Sequence, residues 1–297
     1  MTTDTSTSTS ALGVLARQEI RHYLTSRLFW VGAALSVVTV AVSVATDEHN
    51  VGATTYAIAP AALLGVLGLV TMFGLTRRSD RAAESAGTVT VPERTRTLAL
   101  CASVVVPAAT ALVLWAVVMI AFLVQDRPDW LLPPGVSPSF VLAQGFGIGV
   151  IAAAGGPLLG LLLARYLPRR GVAVIAAVVL VIVTILLQGN FEGGQPWRVW
   201  WVWTYFIGQV SQGWSVDPGA AWHIATAPGN PFWWIAYLAV LCALAVVLAV
   251  LHDREAARGP LVRLAVGLAI GAVALGVLTM TVGYTEVLSN PLPCQSC

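Results

Sequence analysis

Seven stretches of this chain are long and apolar enough to cross a lipid bilayer, and no other feature constrains its fold as strongly. They cover residues 28–46, 56–76, 98–124, 140–164, 171–188, 232–251 and 261–283, and apart from Arg263 at the start of the last they hold no Asp, Glu, His, Lys or Arg. A helix rises 1.5 Å per residue, so about 20 residues cross roughly 30 Å of hydrocarbon. The fold class expected is therefore all-α, a polytopic transmembrane helix bundle. Composition agrees: 57% of the residues are hydrophobic and 10% charged, against roughly 25% charged in a soluble domain.

Orientation follows from arginine, because no lysine occurs in the chain and all sixteen basic residues are Arg. Arg17, Arg21 and Arg27, then Arg77, Arg78, Arg81, Arg94 and Arg96, then Arg165, Arg169 and Arg170, then Arg254, Arg258 and Arg263 fall on one side of the seven spans. Arg127 and Arg198 are left on the other. The positive-inside rule makes the first side cytoplasmic, with the N-terminus inside and the C-terminus outside a cell membrane. A net charge of +2 with dispersed arginines argues against nucleic acid as a partner.

Residues 1–10 are polar and of low complexity, which predicts a disordered cytoplasmic tail. Over residues 11–27 the spacing of Leu12, Ala16, Ile20, Tyr23 and Leu24 predicts an interfacial amphipathic helix, with the wet end of the first span as the plainer alternative. The external segment 189–231 is rich in indole: eight of the eleven tryptophans lie between Trp197 and Trp234. Its apolar part is too short to span, so Trp197, Trp200, Trp201, Trp203 and Trp214 are expected at the outer interface.

Glycines recur at four-residue spacing as Gly145 with Gly149, Gly156 with Gly160, and Gly267 with Gly271, a pattern that lets helices approach closely. Pro60, Pro107 and Pro157 lie within spans and predict kinks.

Several chemistries are missing. Spans without acids or histidine count against a proton-driven antiporter, a voltage sensor or a carboxylate-lined channel. No GxSxG, HExxH or GxxxxGK[ST] string occurs, which leaves no candidate catalytic residue, no candidate metal ligand set and no ATP site on this chain. Cys101 and Cys242 sit in apolar runs as small hydrophobes. Cys294 and Cys297 end the chain with a polar interior unlike a prenylation box, and outside the membrane they read as a vicinal disulfide, a link to a partner or an inert tail.

The longest cytoplasmic connection, residues 77–97, holds five arginines and three acids. Arg78 to Ala86 reads as a short charged helix with Gly87 as its stop, and Pro92 fixes the return into the third span. A solvated positive-inside loop is the plainer reading.

On these features the chain resembles the permease subunits of type-2 ABC exporters, the ABC-2 transporter family. The likeness covers about residues 11–253: an interfacial helix leading into the first span, the loop pattern Arg78, Glu84, Gly87-Thr88, Pro92 and Arg94 entering Thr97-Leu98-Ala99-Leu100, and an aromatic external segment before the sixth span. The resemblance implies a six-span permease domain over 28–253, working as a homo- or heterodimer with a second permease protomer. Residues 254–297 add a cytoplasmic loop, a seventh span and an external Cys-containing tail. It further implies that Arg78, Glu84, Gly87, Pro92 and Arg94 couple to a cytoplasmic ABC ATPase subunit. ATP and Mg would be held by that partner, with no cofactor on this chain. The external tryptophans would shape the outer gate, and the cargo implied is hydrophobic or amphipathic. The competing expectation is a non-transporting membrane scaffold or assembly factor that presents the Trp-rich surface.

Overall fold

The computed structural model describes residues 5–46, 59–85, 91–124, 138–190, 223–226, 230–253, 258–281 and 287–290. Within it the apolar runs are helices. Helix α1, Thr5–Leu24, turns at Thr25 and Ser26 into α2, Arg27–Thr46. After a π-helical turn, Ala61–Gly65, the chain continues as α3, Val66–Ser85. Helices α4, Glu93–Ala102, and α5, Val105–Val124, form one broken rod. Helix α6, Pro138–Phe146, passes through a second π-helical turn, Gly147–Ile151, into α7, Ala152–Tyr166. Then come α8, Val172–Asn190, α9, Pro231–Leu251, and α10, Arg258–Thr281. Strands β1, His223–Thr226, and β2, Val287–Asn290, pair antiparallel with His223 opposite Asn290 and Thr226 opposite Val287.

Six of these helical runs are long and apolar enough to cross a membrane: 27–45, 61–85, 93–124, 141–166, 231–251 and 258–279. Helix α8 is a further apolar helix whose side chains are described from Val172 to Val183. The outward faces are as apolar as the inward ones: Val38, Val113, Ile120, Ile175 and Ile270 are all at least half exposed. Hydrocarbon, unlike water, accepts such faces without cost, so the chain is a multi-pass membrane bundle.

Three features depart from the sequence reading. Helix α1 begins at Thr5, inside the stretch expected to be a disordered tail, because a helix once nucleated propagates into neighbouring residues at little cost. Residues 77–85 form no separate helix: α3 runs unbroken through Arg77, Arg78, Asp80 and Arg81 to Ser85, as its helix-forming Arg, Ala and Glu residues allow. And the break expected at Pro107 falls at Ser103 and Val104. A proline withholds its N–H from the carbonyl four residues earlier, here Ser103. That carbonyl instead accepts from Val106 N at 3.1 Å, and the Ser103 hydroxyl donates to Leu100 O at 2.7 Å.

Among the described glycines the closest packing joins α7 to the π-helical turn Ala61–Gly65 and to α3 behind it. At Gly156 an added Cβ would collide with the carbonyl of Gly65, and at Gly160 with that of Leu69, so these two glycines let the backbones touch. Gly267 and Gly271 differ: among the described residues nothing within 4 Å would meet a Cβ there. One core cluster centres on Tyr23, Leu64, Met72, Leu100 and Leu161, with Cys101 and Cys242 packed at its edge. Another, near the start of α9, gathers Ile148, Trp234, Tyr237, Leu238 and Ala272. Helix α9 starts as its sequence dictates, with Asn230 as N-cap accepting from Phe232 N at 2.9 Å and Pro231 in the first turn. The cap's own N–H donates to Thr279 O of α10 at 3.2 Å, which ties the last two helices together at this end.

Candidate functional site: a charged clamp at the arginine-rich end

Where the ends of α3, α4, α7 and α9 meet, the bundle gathers ionised side chains. Arg165, in the last turn of α7, is 6% exposed. Its Nη1 donates to Asp80 Oδ1 of α3 at 2.7 Å and lies 3.1 Å from Glu93 Oε1 of α4, while Nη2 donates to Thr97 Oγ1 at 2.9 Å. One guanidinium thus holds three groups on two helices. Its planar fork suits this: lysine has no such fixed geometry. A buried charge is tolerated only when paired and hydrogen-bonded, and here two carboxylates supply the pairing.

The cluster extends on both sides. Arg96 Nη1 stands 3.8 Å from Asp80 Oδ1 and donates to Ser79 O at 3.3 Å. On the far side, His252 Nδ1 lies 2.8 Å from Glu93 Oε1, so Glu93 bridges α7 to the C-cap of α9. The His252 ring packs edge-on against Tyr166, with centroids 5.5 Å apart, and the Tyr166 hydroxyl donates to Leu248 O at 2.8 Å. Beside His252, the buried Asp253 accepts from the backbone N–H of Arg94 at 2.9 Å. That N–H belongs to the first turn of α4, whose N-cap is Pro92 and makes no side-chain cap. Asp253 therefore caps α4 across the bundle, and Glu93 in the same turn adds a negative charge where the helix dipole favours one.

The residues singled out from the sequence lie around this clamp. Pro92 is the N-cap of α4 with ψ 146°, the extended geometry that starts the return into the bundle. Arg94 contributes its backbone N–H while its side chain is exposed. Glu84 is exposed near the end of α3 and makes no ion pair among the described residues. Arg78 faces α1, where its charge opposes the rise that burial imposes on the Glu19 carboxyl pKa and adds to the fall that burial imposes on His22. Gly87, the tryptophans Trp197, Trp200, Trp201, Trp203 and Trp214, and the terminal pair Cys294 and Cys297 lie outside the described residues.

The clamp residues Asp80, Glu93, Arg165, His252 and Asp253 were not singled out in the sequence. Arg165 had counted as a positive-inside flank just past a span ending at 164, yet α7 runs to Tyr166 and buries it. The available signal was acidity in an arginine-rich flank: Asp80, Glu93 and Asp253 each stand at a span end where the positive-inside rule asks for no acid. Chemically the cluster is a set of ion pairs on Arg165 with a hydrogen bond between His252 and Glu93. Among the described residues no group of three His, Cys, Asp or Glu side chains could hold a metal ion. What the arrangement can do is mechanical, since four helix ends move as one while the pairs hold.

Comparison of the chain with protein-family models, with curated proteins and with solved structures finds no match.

Proposed function

We propose that this chain is the membrane-spanning permease subunit of an ATP-driven exporter resembling the type-2 ABC transporters, with its arginine-rich end in the cytoplasm. The observation that carries this reading is the clamp. The charged end of α3 and the start of α4 extend past the apolar spans as two helical legs, and Arg165, Asp80, Glu93 and His252 lock them to α7 and α9. A force applied to the exposed legs by a cytoplasmic ATPase would pass through short, partly buried ion pairs into the spans. Exposed Arg78, Glu84 and Arg94 offer the contact surface, and α1 lies against α4 as an interfacial strut. In this reading ATP and Mg belong to the partner, the cargo is hydrophobic or amphipathic, and a second protomer completes the pathway.

The test is purification from the native membrane in mild detergent, followed by mass spectrometry for a Walker-motif ATPase. The reading expects a stoichiometric ATPase that is lost when Glu84 and Arg94 are both reversed in charge. A partner set without such an ATPase would turn the assignment towards a membrane scaffold. A double variant that keeps its ATPase and its transport would remove Glu84 and Arg94 from the coupling surface.

A further inference from the structure

The outward face of α1 carries cations and hydrocarbon together. Val14, Arg17, Arg21 and Leu24 follow one another at spacings of three and four, which puts them on one side of the helix, and all four are exposed. The opposite side turns into the bundle: Tyr23 and Ile20 pack in the core cluster with Met72 of α3 and Leu100 of α4. Glu19, the one acid of α1, stands four residues before Tyr23 and so on that inner side, where the charge of Arg78 acts on it. Arg17 and Arg21 make no ion pair among the described residues, and neither does the exposed Arg27, which starts α2 just past the elbow.

Trp30 marks the depth of this elbow. Its side chain is 60% exposed, yet its Nε1 donates to Leu24 O in the last turn of α1 at 2.7 Å. An indole tied at its N–H and otherwise open suits the level of the lipid headgroups. The α1 face that continues from the elbow therefore meets both halves of the interface. It offers Val14 and Leu24 to hydrocarbon and guanidinium groups to phosphate, whose geometry their planar fork matches. Three arginines with no acid on their own face call for an anionic occupant.

We propose that Arg17, Arg21 and Arg27 form a docking surface for the phosphate headgroup of an anionic phospholipid, with Val14, Leu24 and Trp30 against the upper part of its acyl chains. Because α1 lies against α4, a lipid held there steadies the helix whose first turn enters the clamp. The surface stands on the bundle alone and needs no ATPase, so it can fail while the exporter reading survives, and the reverse.

The experiment equilibrates the full chain in mild detergent with equimolar phosphatidylglycerol and phosphatidylcholine and counts bound lipid by native mass spectrometry. The expected result is preferential retention of phosphatidylglycerol. Each of Arg17→Gln, Arg21→Gln and Arg27→Gln is expected to reduce the preference about fivefold, and the triple variant about a hundredfold, the factor that basic side chains contribute beside an anionic surface. A control, Arg169→Gln with Arg170→Gln and Arg258→Gln, removes the same charge from exposed arginines elsewhere at this end and is expected to keep the wild-type preference. The single variants carry the test if the triple one does not fold. Equal loss in the two triple variants would show that net charge alone attracts the lipid, and would overturn the elbow as a docking surface. Equal retention of both lipids by the wild type would overturn it too, and leave the face to an acidic protein partner.

Discussion

The carboxylate of Asp253 accepts a hydrogen bond from the backbone N–H of Arg94 at 2.9 Å across 159 residues of sequence, and so caps a helix whose own N-cap is a proline. The chain's sixth apolar run thereby fixes where its third one starts. Replacing Asp253 by Ala removes the cap and lowers stability by about 1 kcal/mol, whereas Asp253→Asn, which keeps an acceptor, costs less. Thermal unfolding in detergent checks this, read by a thiol-reactive dye on Cys101 and Cys242 in a background with Cys294 and Cys297 changed to Ser.

Arg165 is the keystone of the clamp, and its loss leaves Asp80 and Glu93 without their shared cation. Arg165→Leu is expected to cost about 1–3 kcal/mol, less than breaking a fully buried pair, because the carboxylates it leaves are 19% and 26% exposed. Arg165→Lys keeps the charge but cannot reach Asp80, Glu93 and Thr97 together, so it falls between wild type and Arg165→Leu. Equal thermal midpoints for all three proteins would show that the cluster bears no load.

Two of the three glycine pairs separate cleanly. Gly156→Ala and Gly160→Ala each drive a methyl into a backbone carbonyl of the neighbouring helix and are expected to destabilise by about 1–3 kcal/mol or more. Gly267→Ala and Gly271→Ala meet nothing within 4 Å among the described residues and are expected to leave the monomer's thermal midpoint unchanged or slightly raised, because alanine is the better helix former.

Helix α1 brings a pH dependence of its own. Burial raises the Glu19 carboxyl pKa above its ordinary value, with Arg78 opposing. The folded state therefore binds this proton more tightly than the unfolded chain, so the group's stabilising contribution is full below the ordinary carboxyl range and is lost as pH rises through the raised value. His22 is shifted downwards by burial and then by Arg78, so its contribution is full above the ordinary imidazole range and is lost as pH falls through the lowered value. Melting curves between about pH 4 and pH 8 test both signs. Glu19→Gln is expected to melt above wild type near pH 7 and to converge with it near pH 4, while His22→Gln flattens the loss on the acid side of neutrality.

Much of the architecture was legible without coordinates because a membrane imposes it locally. Apolar runs of spanning length become helices wherever they occur, since no other arrangement within the run satisfies its backbone, and Asn230-Pro231 marks the start of α9 through its own side chain and ring. Gly156 and Gly160 announced a close helix contact by spacing alone. The clamp was not legible. Arg165, Asp80, Glu93 and His252 come from four separate segments, and a charged residue beside a span reads the same whether it is solvated or folded inward against a partner.

What the sequence by itself determined is the class of the protein: helices of spanning length, built from side chains that water would reject on every face. Tertiary structure decided the rest. It chose which glycine pair meets a described neighbour and which does not, moved the break near Pro107 back to Ser103, and turned flanking charges into a clamp around the buried Arg165. The physical reason is range. Hydropathy, helix propensity and caps act within a few residues, whereas ion pairing and close packing depend on which distant segments the finished bundle brings within about 4 Å of one another.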